Sequence, residues 1–193
     1  MKRICVFCGS NPGLRPDYAA AAMEMARALA RQGIGLVYGG GHVGLMGIVA
    51  DTVMREGGEA IGVIPEALLK REVGHHGLTE LHVVRSMHER KQLMADLSDG
   101  FIALPGGYGT FEEFCEVITW SQLGIHPKPC ALLNVLGFYD PLLAMFDHGV
   151  AEGFIHPDHR AMVLEDTDPA ALLEKMRAFV PRKVEKWIGP GER

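Results

Sequence analysis

Residues Gly100–Leu123, GFIALPGGYGTFEEFCEVITWSQL, join an apolar run, a glycine-rich turn and an amphipathic segment. The run Gly100–Leu104 is apolar at nearly every position, which is typical of a strand covered by helices on both faces. The segment Phe111–Leu123 repeats apolar side chains at helical spacing. This stretch therefore predicts a strand–turn–helix unit of a parallel α/β sheet.

The same alternation of short apolar runs and longer amphipathic segments continues along the chain. The predicted strands are Arg3–Phe7, Gly35–Tyr38, Ala60–Ile64, Leu81–Arg85, Gly100–Leu104, Cys130–Asn134 and Met162–Leu164. The predicted helices are Tyr18–Gln32, Leu45–Glu56, Met87–Leu97, Phe111–Leu123, Pro141–Glu152 and Pro169–Ala178. We predict an α/β fold, a Rossmann-like doubly wound three-layer sandwich with a mostly parallel sheet of about seven strands. Residues 1–180 are expected to form one domain and 181–193 a polar tail.

Composition and charge argue against several classes of function. The 193-residue chain has a formal net charge of -5, which is unfavourable for a broad nucleic-acid-binding surface. No apolar run approaches the roughly 20 residues of a membrane-spanning helix, and the first residues lack the apolar stretch of a secretory signal. We expect a soluble cytoplasmic protein that binds neither nucleic acid nor membranes.

The cysteines and histidines do not predict a metal site. Cys5 and Cys8 have CxxC spacing, but residues three apart on a strand point to opposite faces, which favours buried thiols in a reducing compartment. Four histidines lie in predicted loops without a carboxylate or cysteine at ligand spacing, and we expect them at the surface. They are His75, His76, His156 and His159.

Three predicted strands lead directly into glycine-rich turns, Cys8–Ser10, Gly39–Gly41 and Pro105–Gly109. In an open α/β sheet these turns share the edge at the carboxyl ends of the strands, where such folds bind ligands. Glycine allows close approach of the backbone to a phosphate, and the following helix offers free N–H groups. Each turn alone is also explained by tight strand-to-helix geometry, but three on one edge favour a nucleotide.

Two familiar nucleotide motifs are weak or absent. Gly39, Gly41 and Gly44 match the dinucleotide spacing, but they follow the second predicted strand, and the acidic residue Glu59 precedes the third strand. The chain has no P-loop motif. NAD binding and ATP hydrolysis are therefore not favoured.

Arg90 lies on an otherwise apolar helical stripe formed with Met87, Met94 and Leu97. A buried guanidinium must be paired, because an unpaired buried charge is costly. An internal arginine–carboxylate bridge or a snorkelling stem explains the spacing. Alternatively Arg90, beside Lys91, meets an anionic ligand at the sheet edge.

Glu113 also has two explanations. Thr110 and Glu113 match the capping-box pattern, so the carboxylate could cap its own helix. Its position after the Pro105–Gly109 turn alternatively places it beside a phosphate or ribose. Glu112, Glu116 and Thr119 share a second, polar stripe of the same helix.

The segments MHERK (Met87–Lys91) and PGGYGTFEE (Pro105–Glu113) resemble the paired signature of the Lonely Guy family, the cytokinin riboside 5'-monophosphate phosphoribohydrolases, often labelled lysine decarboxylases. The resemblance extends from Ile4 to about Phe179. It implies hydrolysis of the N-glycosidic bond of adenine-type nucleoside 5'-monophosphates, including cytokinin riboside 5'-monophosphates and AMP. It further implies a homodimer that needs no cofactor and no metal.

By this resemblance Arg90 and Glu113 are the catalytic pair. The substrate-binding residues that it implies are Glu72, Lys91, Gly107, Tyr108, Gly109, Thr110, Phe111, Glu112 and Thr119. Two other functions remain open. The same glycine turns could serve a non-catalytic carrier of a nucleotide or cofactor, and the decarboxylase label would require a Schiff-base lysine in a recognisable setting.

Overall fold

The computed structural model describes residues 1–69, 74–75 and 77–181. Seven strands pair in parallel in the order β4-β3-β2-β1-β5-β6-β7. The strands are β1 (Arg3–Phe7), β2 (Gly35–Tyr38), β3 (Ala60–Pro65), β4 (Glu80–Val84), β5 (Phe101–Ala103), β6 (Cys130–Leu133) and β7 (Val163–Asp166). The predicted α/β class and seven-stranded sheet are confirmed. The predicted tail falls outside the described residues from 182 onward.

The helices connect successive strands. Within the described part of the chain they are α1 (Pro16–Arg31), α2 (Gly44–Arg55), α3 (Glu66–Leu69), α4 (Met87–Asp96), α5 (Tyr108–Gln122), α6 (Asp140–Ala151), α7 (Pro157–Arg160) and α8 (Pro169–Ala178). The single-turn helices α3 and α7 were not predicted, because four residues are too few to show helical periodicity. Among these helices none has both the length and the apolar character needed to cross a membrane.

Helices cover both faces of the sheet and give three layers. Ile4 and Val6 of β1 pack with α1, α2 and α8 on one face, whereas Cys5 and Phe7 pack with α4, α5 and α6 on the other. Cys8 joins the first of these layers. The thiols of Cys5 and Cys8 are therefore buried on opposite sides, and burial raises the pKa of both, as expected of unreactive cysteines.

The strand order reverses at β1, which has β2 on one side and β5 on the other. The turns that follow β1 and β5 consequently meet, and the Gly9 N–H donates to the Pro105 carbonyl at 3.1 Å. A Cβ on Gly106 would lie 2.9 Å from the Gly9 nitrogen, so this close approach requires glycine. Open α/β sheets bind ligands in the crevice at such a reversal.

Candidate active site

Arg90 and Glu113 form a buried ion pair at this edge of the sheet. The Arg90 Nη1 donates to Glu113 Oε1 at 2.9 Å, and each residue is only 8% exposed. The Arg90 Nε donates to the Val63 carbonyl at 3.1 Å, and Nη2 donates to the Gly39 carbonyl at 3.4 Å. One guanidinium thus joins α4 to β3, to the turn after β2 and to α5. The internal bridge and the proposed catalytic pair are the same two side chains.

The capping-box explanation for Glu113 is wrong. Helix α5 begins at Tyr108 with Gly107 as its N-cap, so Thr110 is the third helical residue and Glu113 the sixth. Gly107 has an extended backbone and no side chain to cap the helix, and the helix therefore starts three residues earlier than predicted. The first N–H groups of α5 remain suited to an anion.

Burial controls the ionisation of Glu113. Loss of solvation raises the pKa of this carboxyl above its ordinary value of 4.5, and the attraction of Arg90 offsets that effect only partly. A carboxylate with a raised pKa accepts a proton more readily near neutral pH than an exposed glutamate does. Glu113 therefore has the environment of a catalytic base or of a charge stabiliser.

Lys91 is held by two carboxylates of the polar stripe on α5. Its Nζ donates to Glu112 Oε1 at 2.6 Å and to Glu116 Oε1 at 2.9 Å. Burial lowers the pKa of Lys91, but these hydrogen bonds outweigh it and leave the pKa raised. The three groups together carry one net negative charge, which suits ribose hydroxyls better than a phosphate. An ammonium held in this way is also a poor Schiff-base nucleophile.

The glycine turns enclose a cavity of about 300 Å³ at the strand reversal. It is lined by residues from both turns together with Tyr18, Leu45 and Phe138. A larger cavity of about 600 Å³ includes Arg3, Glu59 and Asp99. Because these residues lie at the amino ends of the strands, it is on the opposite edge and away from the Arg90–Glu113 pair.

The remaining predicted site residues differ in their surroundings. Tyr108 is 93% exposed, whereas Thr110 is buried. Phe111 stacks on Phe138 with ring centroids 6.2 Å apart, which connects it to the wall of the cavity. Thr119 donates to the Cys115 carbonyl at 2.7 Å within α5.

Gly107 lines the 300 Å³ cavity, and Gly109 lies exposed in the first turn of α5. Glu72 and His76 lie outside the described residues. His75 is 8% exposed, so its expected surface position is wrong. The His75 ring is hydrogen-bonded to Asp51, a residue distant in sequence, and its backbone is bonded to the turn after β2.

Gly39 supports the site in a way that sequence analysis missed. A Cβ on Gly39 would lie 2.0 Å from Arg90 Nη2, so the guanidinium occupies the space that any side chain would need. The glycine turn was visible in the sequence, but only the tertiary structure shows that Gly39 contacts Arg90.

We expect Gly39→Ala to destabilise the protein by about 1–3 kcal/mol, the usual result of overpacking, and to lower activity by displacing Arg90. Urea denaturation and steady-state kinetics measure the two effects. Gly109→Ala is the matched stability control, since its Cβ meets nothing within 4 Å. Equal stability of both variants would contradict the steric explanation.

The strand reversal and the buried carboxylate beside it are features of a Rossmann-like α/β enzyme. Residues 46–176 match a family model described as "Possible lysine decarboxylase". With the relatives described next, this match places the chain in the Lonely Guy family of phosphoribohydrolases, which are N-glycosyl hydrolases.

Two curated relatives show the extent of the similarity. One is the rice (Oryza sativa subsp. japonica) "Probable cytokinin riboside 5'-monophosphate phosphoribohydrolase LOGL1", 55% identical over 92% of this chain and 79% of its own. The other is the Rhodococcoides fascians "Cytokinin riboside 5'-monophosphate phosphoribohydrolase", 52% identical over 92% of this chain and 90% of its own.

The fold is also shared with more distant proteins. The molybdenum cofactor carrier protein of Chlamydomonas reinhardtii matches with a TM-score of 0.65 and 21% identity, over 92% of this chain and 98% of that chain. At this level of identity the likeness concerns the fold alone.

Proposed function

We propose that this protein hydrolyses the N-glycosidic bond of adenine-type nucleoside 5'-monophosphates and releases the free base and ribose 5-phosphate. The observation that carries the proposal is the buried Arg90–Glu113 pair, which holds a carboxylate of raised pKa at the edge where open α/β sheets bind ligands. The activity named for the rice and Rhodococcoides fascians relatives supports the same substrate class.

In the proposed reaction a water oxygen bonds to C1' of the ribose as the bond from C1' to the adenine nitrogen breaks. The base leaves with the bonding electrons and gains a proton, and the water loses one. Positive charge develops on the ribose, as in glycoside hydrolysis. Glu113 either stabilises this charge or accepts the proton of the water, and Arg90 favours the ionised carboxylate and orients it.

The 5'-phosphate is proposed to bind at the first turn of α5, where Gly107 and Gly109 leave the backbone accessible and the helix dipole favours an anion. Glu113 follows Gly107 by six residues, about 9 Å along the helix axis. Phosphate binding at one end of this span therefore orients the ribose at the other.

The other contacts are proposals of the same kind. Glu112 and Lys91 suit the ribose hydroxyls. The substrate-facing residues further include Tyr108, Thr110, Phe111 and Thr119, and Glu72 is proposed from the family resemblance. We also propose a cytoplasmic homodimer, and a solution mass equal to one chain would refute the dimer.

The direct test is incubation with AMP and, separately, with isopentenyladenosine 5'-monophosphate, followed by assays for free base and ribose 5-phosphate. We expect release from at least one nucleotide, and the ratio of kcat/KM values identifies the preferred base. Absence of release from both would overturn the proposal. Tight binding of an intact nucleotide without turnover would instead support the carrier function. The observation that suggests this function is the cavity between the glycine turns.

The proposed role of Glu113 predicts a pH dependence. Burial raises its pKa above 4.5, so activity that requires the carboxylate should rise with pH through an acidic limb centred above 4.5. The same shift affects stability, because folded Glu113 binds its proton more tightly than unfolded Glu113 does. The contribution of Glu113 to the free energy of unfolding therefore decreases as pH rises from 4.5 through the raised pKa.

A profile of kcat/KM against pH, which reports ionisations of the free enzyme and free substrate, measures this limb. The substrate phosphate titrates near pH 6 and can add a limb of its own. The residual activity of Glu113→Gln is therefore the control. An identical acidic limb in wild type and variant would show that Glu113 does not titrate in the reaction.

A further inference from the structure

Two histidines and one aspartate meet behind the Gly39–Gly41 turn. His42 follows that turn, Asp51 lies on α2, and His75 belongs to the short described segment before β4. One ligand atom from each residue lies within 4.8 Å of the other two. Such a set of imidazole and carboxylate donors is typical of a transition-metal site.

The contacts among the three side chains give the cluster a defined geometry. His75 Nε2 lies 2.7 Å from Asp51 Oδ1, and the rings of His42 and His75 meet edge to face with centroids 4.8 Å apart. His75 is buried and Asp51 is half-buried, whereas His42 is exposed. His75 is therefore held by packing and Asp51 by its hydrogen bond to His75, and the exposed His42 can turn towards a cation.

The backbone holds these donors on neighbouring segments. Gly41 and Gly74 form an antiparallel bridge, and the His75 N–H donates to the Gly40 carbonyl at 3.4 Å. This bridge brings His42 and His75, which are far apart in sequence, into ring contact beside α2. Sequence spacing could not reveal the site, because the carboxylate comes from a third element.

We propose that His42, Asp51 and His75 bind one divalent transition-metal ion, for which Zn²⁺ is the probe. Zinc ligands lie about 2.0–2.2 Å from the metal, so His42 must rotate towards the other two donors. Three protein ligands leave a further position for water. The ion links the Gly39–Gly41 turn to α2 and to the segment that contains His75.

Zinc binding has one local consequence at His75. The Gly77 N–H donates to His75 Nδ1 at 3.1 Å, so the neutral ring carries its proton on Nε2, towards Asp51. Ligation through Nε2 transfers the proton to Nδ1 and breaks the hydrogen bond from Gly77. The tautomer change provides a spectroscopic signature that a histidine–aspartate hydrogen bond alone does not produce.

The test uses the full chain stripped of metal. Titration with Zn²⁺ against a chromophoric chelator is expected to give one ion per chain and an increase in Tm. The ¹⁵N chemical shifts of His75 should report the change of tautomer. His42→Ala and Asp51→Asn should each weaken zinc binding at least tenfold. The exposed His42 can be removed without disturbing the core.

His82→Ala is the matched control. His82 lies 3.1 Å from Glu80 in an exposed histidine–carboxylate pair, and among the described residues this pair belongs to no group of three metal-binding side chains. The variant should leave zinc affinity unchanged. The proposal is overturned if wild type binds no zinc, or if His42→Ala and Asp51→Asn bind it as tightly as wild type. Because the readouts are stoichiometry, Tm and tautomer, they are independent of the proposed hydrolase activity.

Discussion

Replacement of Glu113 by glutamine is expected to lower kcat by about 100- to 10,000-fold, the range associated with a positioned acid–base group. Glutamine has the size of glutamate and its amide oxygen can still accept from Arg90 Nη1, now 2.9 Å from the carboxylate. The variant therefore keeps the local packing and loses only the negative charge. Release of free base from a saturating nucleotide measures the loss.

The control for this variant is Glu174→Gln. Glu174 pairs with Arg177 at 2.7 Å on the exposed surface of α8, so the same change removes a paired carboxylate far from the site. Its activity should equal that of wild type. A folded Glu113→Gln enzyme with undiminished kcat would show that Glu113 serves only to neutralise Arg90.

Replacement of Arg90 by methionine is expected to destabilise the protein by about 3–5 kcal/mol, because it leaves the carboxylate of Glu113 buried without its partner. Activity should also fall, since the carboxylate loses the group that orients it. The loss of stability should be smaller at acidic pH, where Glu113 takes up a proton and the unpaired charge disappears. Urea denaturation at several pH values measures this dependence.

The double variant Arg90→Met/Glu113→Gln separates structure from catalysis. We expect it to regain part of the lost stability, because neither partner leaves a buried charge behind, and to remain inactive. The exposed pair Arg177→Met/Glu174→Gln is the control cycle, and its coupling should be below about 1 kcal/mol. Additive effects of the two substitutions at 90 and 113 would contradict the coupling inferred from their contact.

The sequence predicted the interior of the sheet well because β2, β3, β5 and β6 are buried at every position and therefore read as apolar runs. Strand β2 was predicted with the same bounds that the structure has, Gly35–Tyr38. Helix α5 was predicted three residues short, since Gly109 and Gly107 are typical of turns. Here the glycines begin the helix, and no capping side chain marks the start.

The candidate site was predictable to a different degree. The anomaly of a charged residue on an apolar stripe identified Arg90, and the position after the Pro105–Gly109 turn identified Glu113. The family resemblance then assigned both as the catalytic pair. None of these sources showed that the two side chains contact one another, nor that Gly39 must be glycine to accommodate the guanidinium. His75 was assigned to the surface because its carboxylate partner, Asp51, is 24 positions away in the sequence.

By itself the sequence determined the α/β class, the parallel strands, the glycine turns at their carboxyl ends and the family, because these depend on local periodicity and on motifs that are continuous in the chain. Only the tertiary structure decided which charged groups neutralise one another. It pairs Arg90 with Glu113 and Lys91 with Glu112. The strength of such pairs and the pKa values of their members depend on burial and on distances between separate elements. Burial and these distances cannot be derived from the spacing of residues along the chain.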